Sequence, residues 1–342
     1  MGVGPDTRSD ILQSSGGYQV QLIAGDEESG FQDGVGQEAR FKYPLSVIRV
    51  DNDDNIFVLG SRNNAIRKIT ETSVSTLLAF PKRMPKINAP VISNIALNRD
   101  NEVYYQTVAP DNSPDASADD LENCWYRQTS YEPQTIFCEP NDDAVVFKNP
   151  YFGDVFFTAE NQLIIDSSVG NHIFNSDGSL TPTTTRNPKY TDSQGNYFTV
   201  NYLASTLANI LMTRPDGSMI EIGRGRTSSS PSTPTPRATP EGCSSFDEYC
   251  AVKGYVDGSK ETAEFHTPEH LVIGRDDTVY VSDTGNKKLR TIAPGSLEVG
   301  TVPLDFDEPL GDMALDRDGN IIAAYGNRII KITLPVKAQQ IP

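Results

Sequence analysis

The chain has 342 residues and a formal net charge of −17, a field that repels phosphate backbones and anionic lipid heads and argues against a nucleic-acid partner. No apolar run approaches the roughly 20 residues of a membrane span, so membrane insertion is not expected. Hydrophobic content of 37% with 26 Gly and 23 Pro, short apolar runs and no long helical periodicity describe an all-β chain rich in turns.

Residues 1–17 lack the apolar stretch of a signal peptide and read as a flexible segment. Tyr18 to Gly25 alternates like a strand. Next comes Gly30-Phe-Gln-Asp-Gly34, continuing to Ala39-Arg-Phe41 and Pro44; the same words return 224 residues later as Gly254-Tyr-Val-Asp-Gly258, Ala263-Glu-Phe265 and Pro268. One unit is therefore used more than once, and a unit of four short strands that cannot bury its own faces must stack on copies of itself. Six units can be laid along the chain. The first holds Val47–Val50, the acidic turn Asp51–Asn55, Ile56–Leu59, Ile66–Ile69 and Val74–Ala79. The second runs from Pro90 through Leu97 and the turn Asn98–Asn101 to Thr107, with an outer hairpin at Trp125–Gln128 and Thr135–Cys138 beyond an inserted segment at 106–123. The third takes Val155–Phe157, Leu163–Ile165 and Val169–Phe174. The fourth is the weakest, with Asp192–Val200 as its start, then Asn209–Met212 and Met219–Ile222; a second insertion, 225–250, follows, part of it a Ser/Thr/Pro tract. The fifth is the clean copy from Gly254 to Val302. The sixth, Pro309 to Thr333, has three strands, and Tyr18–Gly25 is expected to supply its fourth and close the ring. Residues 334–342 read as a tail.

These motifs resemble the NHL repeat family, most strongly in the first, fifth and sixth units. The resemblance implies a single six-bladed β-propeller over residues 18–333.

Four cysteines form two local pairs, Cys124 with Cys138 and Cys243 with Cys250. Neither pair has the spacing of a zinc or redox motif, and two local disulfides are favoured over free thiols, which would set the chain in an extracellular or lumenal compartment. His172, His266 and His270 are the only histidines. A zinc site built from all three would resemble the peptidyl-hydroxyglycine amidating lyases, although His172 stands where NHL repeats themselves often carry His. The acidic groups Asp51–Asp54, Asp276–Asp277 and Asp316–Asp318 look like calcium ligands singly; their recurrence at one place in each unit marks them as turn residues that bond their own backbone. Calcium at a central site, as in gluconolactonase-like propellers, is the other cofactor the composition admits, and no cofactor is the expectation. Asp33 and Asp257 are read as fixing the crossovers between units. Arg67 and Arg290 are read as hydrogen bonders between units or surface residues. Trp125, with Tyr126, is either a cover for the neighbouring disulfide or a contact for a partner.

There is no Gly-x-Ser-x-Gly and no phosphate-binding glycine motif. The expected function is thus a non-enzymatic binding module that takes a protein or glycan partner, a basic one given the charge. A metal-dependent propeller enzyme and a structural component of a cell surface are the alternatives.

Overall fold

The structure, a computed structural model, describes residues 11–42, 45–60, 63–79, 91–108, 124–129, 133–138, 155–165, 171–175, 179–204, 207–223 and 254–335. The described strands form six antiparallel sheets set in a ring, a six-bladed β-propeller. Blade 1 has Leu45–Val50, Ile56–Gly60, Ala65–Thr70 and Ser73–Ala79 in order from the central channel outwards. Blade 2 has Val91–Leu97, Val103–Val108, Cys124–Arg127 and Gln134–Cys138; the strand therefore takes residues 106–108 from the expected insertion. Blade 3 has Val155–Phe157, Leu163–Ile165, Asn171–Phe174 and Leu180–Thr183, and blade 5 has Pro268–Ile273, Val279–Asp283, Lys288–Ile292 and Val299–Thr301.

Blade 4 departs from the expected layout. Asp192 begins a turn rather than a strand, and Tyr197–Ala204, Leu207–Thr213 and Met219–Ile222 are second, third and fourth in position. Its first strand is reduced to a short 3-10 turn, Pro188–Tyr190, and a single bridge from Thr191 to Tyr197. Blade 6 joins the two ends of the chain: Leu310–Leu315, Ile321–Tyr325 and Arg328–Thr333 are followed in the sheet by Tyr18–Gly25. A fifth strand, Ile11–Ser15, pairs outside Tyr18–Gly25, so this part of the segment expected to be flexible is sheet. Gly16 and Gly17, at φ of 59° and 86°, make the tight hairpin between these strands. The Gln13 amide clasps the backbone of Asp305, donating to its carbonyl (2.6 Å) and accepting from its N–H (3.0 Å). Leu334, assigned to the tail, is buried in the core.

Both faces of a blade are covered by its neighbours, which is why the second strands read as nearly continuous apolar runs. Tyr104 packs towards blade 3 and Tyr105 towards blade 1. Among the described residues, apolar clusters fill the junctions of blades 1 and 2, 2 and 3, 4 and 5, 5 and 6, and 6 and 1.

Five of the six turns between first and second strands follow one plan. The side chain of the leading residue accepts from backbone N–H groups two and four positions on. Asp51 takes Asp53 and Asn55, Asn98 takes Asp100 and Glu102, Thr158 takes Glu160 and Gln162, Asp192 takes Gln194 and Asn196, and Asp316 takes Asp318 and Asn320. In blade 5 the leading residue is Gly274, and Asp276 accepts from Thr278 instead. The fourth residue of every turn is left-handed: Asp54, Asn101, Asn161, Gly195, Asp277 and Gly319, with φ between 60° and 84°. Asp and Asn tolerate that region better than other residues with a Cβ. Here they also reach the preceding blade, accepting from a turn N–H: Asn101 from Asn52 (3.2 Å), Asn161 from Arg99 (2.9 Å), Asp277 from Ser193 (2.8 Å) and Asp54 from Arg317 (2.7 Å). The acidic groups are therefore turn formers and staples between blades.

Candidate functional site

Antiparallel strands put these turns on one face of the ring. The crossovers that carry the chain from blade to blade, and the turns between second and third strands, gather on the other. On this crossover face two arginines organise the surface. Arg67, on the third strand of blade 1, donates to the carbonyls of Gln32 (2.7 Å) and Arg40 (3.2 Å) and pairs with Asp33 at 2.6 Å. Its guanidinium lies between the Phe31 and Phe41 rings, 5.0 and 5.1 Å from their centroids. Arg290 repeats this in blade 5, donating to the carbonyls of Val256 (2.9 Å) and Glu264 (3.0 Å) and to Asp257 (2.8 Å), between Tyr255 and Phe265. Thus Asp33 and Asp257 hold the crossovers, and both arginines are buried parts of the same clamp. Asn63, Asn286 and Asn327 add a hook in blades 1, 5 and 6, donating to the crossover carbonyls of Gly30, Gly254 and Glu27.

The blade 5 clamp has an extra member. Asp283 is fully buried, accepts from the His266 N–H (2.7 Å) and from Asn286 (2.7 Å), and pairs with Arg290 at 2.8 Å. Burial pushes its pKa up, against the pull of those donors. The corresponding residue of blade 1 is Gly60.

The outer ring of each clamp is open to solvent: Phe31 is 48% exposed and Tyr255 51%. Among the described residues the large exposed hydrophobics are Leu12, Phe31, Val35, Met219, Tyr255 and Val256, and four of these six lie in the two clamped crossovers. Carboxylates surround them. Residues 26–42 carry five acids against two cations, and residues 254–267 three against one. Exposed apolar surface is thus concentrated in two equivalent places, which makes them the candidate site.

A second cluster lies in the channel near the same face. Asp312, third residue of its strand, accepts from Lys189 Nζ (2.7 Å), Arg49 Nη1 (3.2 Å) and the Ile48 N–H (3.0 Å), with His270 Nδ1 3.8 Å away. Arg49 Nη2 also donates to Asn94 Oδ1 at 3.3 Å. Blades 4 and 6 both flank blade 5, so the Lys189 to Asp312 bond reaches past the first strand of blade 5, where His270 lies. Burial works to raise the Asp312 pKa, but Lys189 and Arg49 outweigh it and hold the carboxyl well below the usual carboxylate range. For His270 burial dominates and lowers the pKa, with Asp312 opposing; the ring is neutral at neutral pH. Asp312 is thus an ionised pin that accepts from three donors, two of them cationic. A carboxylate already neutralised by two cations does not fit as a ligand for calcium or zinc.

The three histidines do not come together. His172 lies on the third strand of blade 3, opposite Ile165, whereas His270 lies on the first strand of blade 5 and His266 in the crossover before it. Among the described residues no three His, Cys, Asp or Glu side chains are placed to hold a metal ion. Trp125 does not offer a partner contact: it is 4% exposed and packs with Ala96, Tyr104, Val155 and Leu163 between blades 2 and 3. A propeller blade has no solvent face, so an aromatic at mid-strand goes into a junction. Tyr126, half-buried, stacks on Tyr105 at 5.3 Å. Cys124 and Cys138 lie opposite each other in register; Cys243, Cys250 and the insertions at 109–123 and 225–250 lie outside the described residues. No described helix is long and apolar enough to cross a membrane.

The channel cluster, His270 apart, was missed from sequence, yet it has a signal. Counting back four residues from the leading turn residue gives Asn94, His270 and Asp312 in blades 2, 5 and 6, polar residues inside otherwise apolar runs.

No protein-family model matches the chain, and no curated protein does. Solved structures are similar to it. A protein of unknown function from Bacteroides thetaiotaomicron superposes with a TM-score of 0.57 at 17% identity, over 92% of this chain and 76% of that one. An auxiliary nutrient binding protein from the same organism gives 0.55 at 13%, over 93% and 76%. A putative oxidoreductase (glucose dehydrogenase) from Thermus thermophilus gives 0.54 at 12%, over 93% and 100%. At such identities the likeness establishes the six-bladed propeller and leaves function to the site itself.

Proposed function

We propose that this chain is a non-enzymatic binding module, an NHL-type propeller, and that its partner is a basic protein segment held on the crossover face. The observation that supports this most is the pair of solvent-open aromatic rings, Phe31 and Tyr255, each stacked on an arginine whose charge is already met by Asp33 or by Asp257 and Asp283. The free face of each ring remains to receive an apolar stem or a cation, and the surrounding carboxylates select positive charge and speed encounter. The Asp312 pin stiffens the channel beneath this surface. It supports a scaffold role better than a metal-dependent lyase or lactonase.

The test is calorimetric titration with an arginine- and lysine-rich oligopeptide, an acidic peptide of equal length and a neutral oligosaccharide. Only the basic peptide should bind. Its affinity should fall on the order of tenfold for Phe31→Ala with Tyr255→Ala and should weaken steadily with salt. Saccharide binding lost in the same variant would replace the basic partner with a glycan. Basic-peptide binding unchanged in that variant would reduce the effect to diffuse charge and sink the site.

A further inference from the structure

We propose that the wedge between blades 4 and 5 is a separate binding site, open on the turn face, and that its ligand is a small aromatic carboxylate of one or two fused rings. Sheets that radiate from one axis part as they run outwards, so each junction can leave a gap between the turn-face ends of its outer strands. Here the gap has a volume of about 290 Å3, about twice the roughly 150 Å3 that encloses a benzene. Its floor is apolar and buried, formed by Phe198 and Met212 of blade 4 with Val279, Ile292 and Leu297 of blade 5. Asp192, Asp277 and Arg214 stand at its mouth. An apolar floor under a few polar groups is the usual make-up of a small-molecule site.

The walls are set in advance. Asp277 accepts from the N–H and the hydroxyl of Ser193, which ties the blade 4 turn to blade 5 beside the mouth. Leu297 is left-handed at φ of 57°, a conformation that is costly for a residue with a Cβ. Its loop is closed by backbone bonds, Ala293 donating to Glu298 (2.9 Å) and Leu297 to Ala293 (3.0 Å). Strain of this kind persists where the surroundings impose it, and it clusters at ligand sites.

Other junctions show what distinguishes this one. Phe57 faces Lys68 in blade 1 as Phe198 faces Met212 in blade 4, and Val103 follows its turn as Val279 does. The gap between blades 1 and 2, about 490 Å3, is therefore equivalent in position, but Lys68, Glu102 and Arg127 make its lining charged. In blade 5 the residue corresponding to Phe198 is Tyr280, which is buried and bonded to Tyr18. Between blades 4 and 5 the gap is open and its floor uncharged, and the Met212 thioether adapts well to an aromatic ring.

Arg214 supplies the polar preference. Asp192 is engaged by Gln194 and Asn196 of its own turn, and Asp277 by Ser193. Arg214, by contrast, is exposed and donates to the Ser218 hydroxyl at 3.3 Å, with no ion pair among the described residues. A guanidinium with most of its donors turned to solvent suits a carboxylate, which it can meet through two parallel bonds.

The test is a titration of the full chain, its methionine methyls isotope-labelled, with indoleacetate, indoleacetamide and tryptamine. Indoleacetate should bind saturably at one site per chain and shift the Met212 methyl resonance, leaving that of Met313, in the core between blades 5 and 6, unmoved. The amide should bind about tenfold more weakly, and the amine more weakly still. Arg214→Gln, at the exposed mouth, should erase the difference between acid and amide while both continue to bind. Met212→Lys, the residue that blade 1 accommodates at this position, should abolish binding of all three. An unmoved Met212 methyl, tryptamine bound as tightly as indoleacetate, or undiminished binding by Met212→Lys would each overturn the site. A preference for the acid that survives Arg214→Gln would overturn the carboxylate assignment.

Discussion

The two faces of the ring obey different rules. On the turn face all six blades use a left-handed fourth residue, even blade 4, whose first strand has nearly vanished. On the crossover face the buried arginine clamp stands in blades 1 and 5, and blade 6 carries Ile330 where blade 1 has Arg67. Uniformity on one side follows from closure: each turn must meet the next at the same angle, so a residue that fits the bend and bonds the neighbour suits every blade. Crossovers carry no such shared demand once the blades are set. Their differences are free to serve recognition, as loops on a rigid scaffold do.

If that contrast is sound, the costliest change should be in a clamp. Arg290→Ala leaves Asp283 buried without its cation and should cost about 3–5 kcal/mol in urea unfolding. Arg67→Ala should cost clearly less, since its carboxylate partner Asp33 is 47% exposed and water can replace the arginine. Equal losses would mean that the buried acid is not what separates the two clamps.

Next comes the channel. Asp312→Asn should cost about 1.5–3 kcal/mol at neutral pH. Because the folded carboxyl has a depressed pKa, its contribution is complete above the unfolded value of about 3.9 and drains away as pH falls from there towards the folded pKa. Denaturation at about pH 6 and about pH 3 should therefore show a larger loss in the parent than in the variant. A parallel pH dependence in both proteins would show that the ion pairs in the channel carry no net stability.

The smallest effects belong to the turn face. Asn101→Gly removes the bonds to Asn52 and Asp53 and keeps the left-handed bend, for about 0.5–1.5 kcal/mol. Asn101→Ala loses the same bonds and adds about 1 kcal/mol of backbone strain at φ of 61°. Thermal melts of the two variants separate staple from bend. If they melt together, the bend costs nothing and the staple is the whole effect.

Blade 4 was misplaced because the apolar run that marks a first strand is absent there, while its turn, Asp192 to Asn196, keeps the grammar; anchoring on turns instead of runs would have set it correctly. Ile11–Ser15 went unseen because it is short, three of its five residues are polar, and the contact that ties it to the ring, Gln13 on Asp305, joins residues 292 positions apart. Of the two readings of Trp125, the partner contact fails because sequence cannot tell a two-sided sheet from a one-sided one. Lys189 carried no signal at all: its bond to Asp312 joins residues 123 positions apart across non-adjacent blades.

By itself the sequence determined the repeat, the six-fold count, the turn role of the acidic groups and the crossover role of Asp33 and Asp257. These are local, recurring demands of backbone geometry, written within a few residues of where they act. The tertiary structure alone decided that Asp312 is pinned by Lys189, Arg49 and the Ile48 N–H, that the histidines stay apart, and that Phe31 and Tyr255 keep one face in water. Those facts depend on which surfaces meet once the ring has closed.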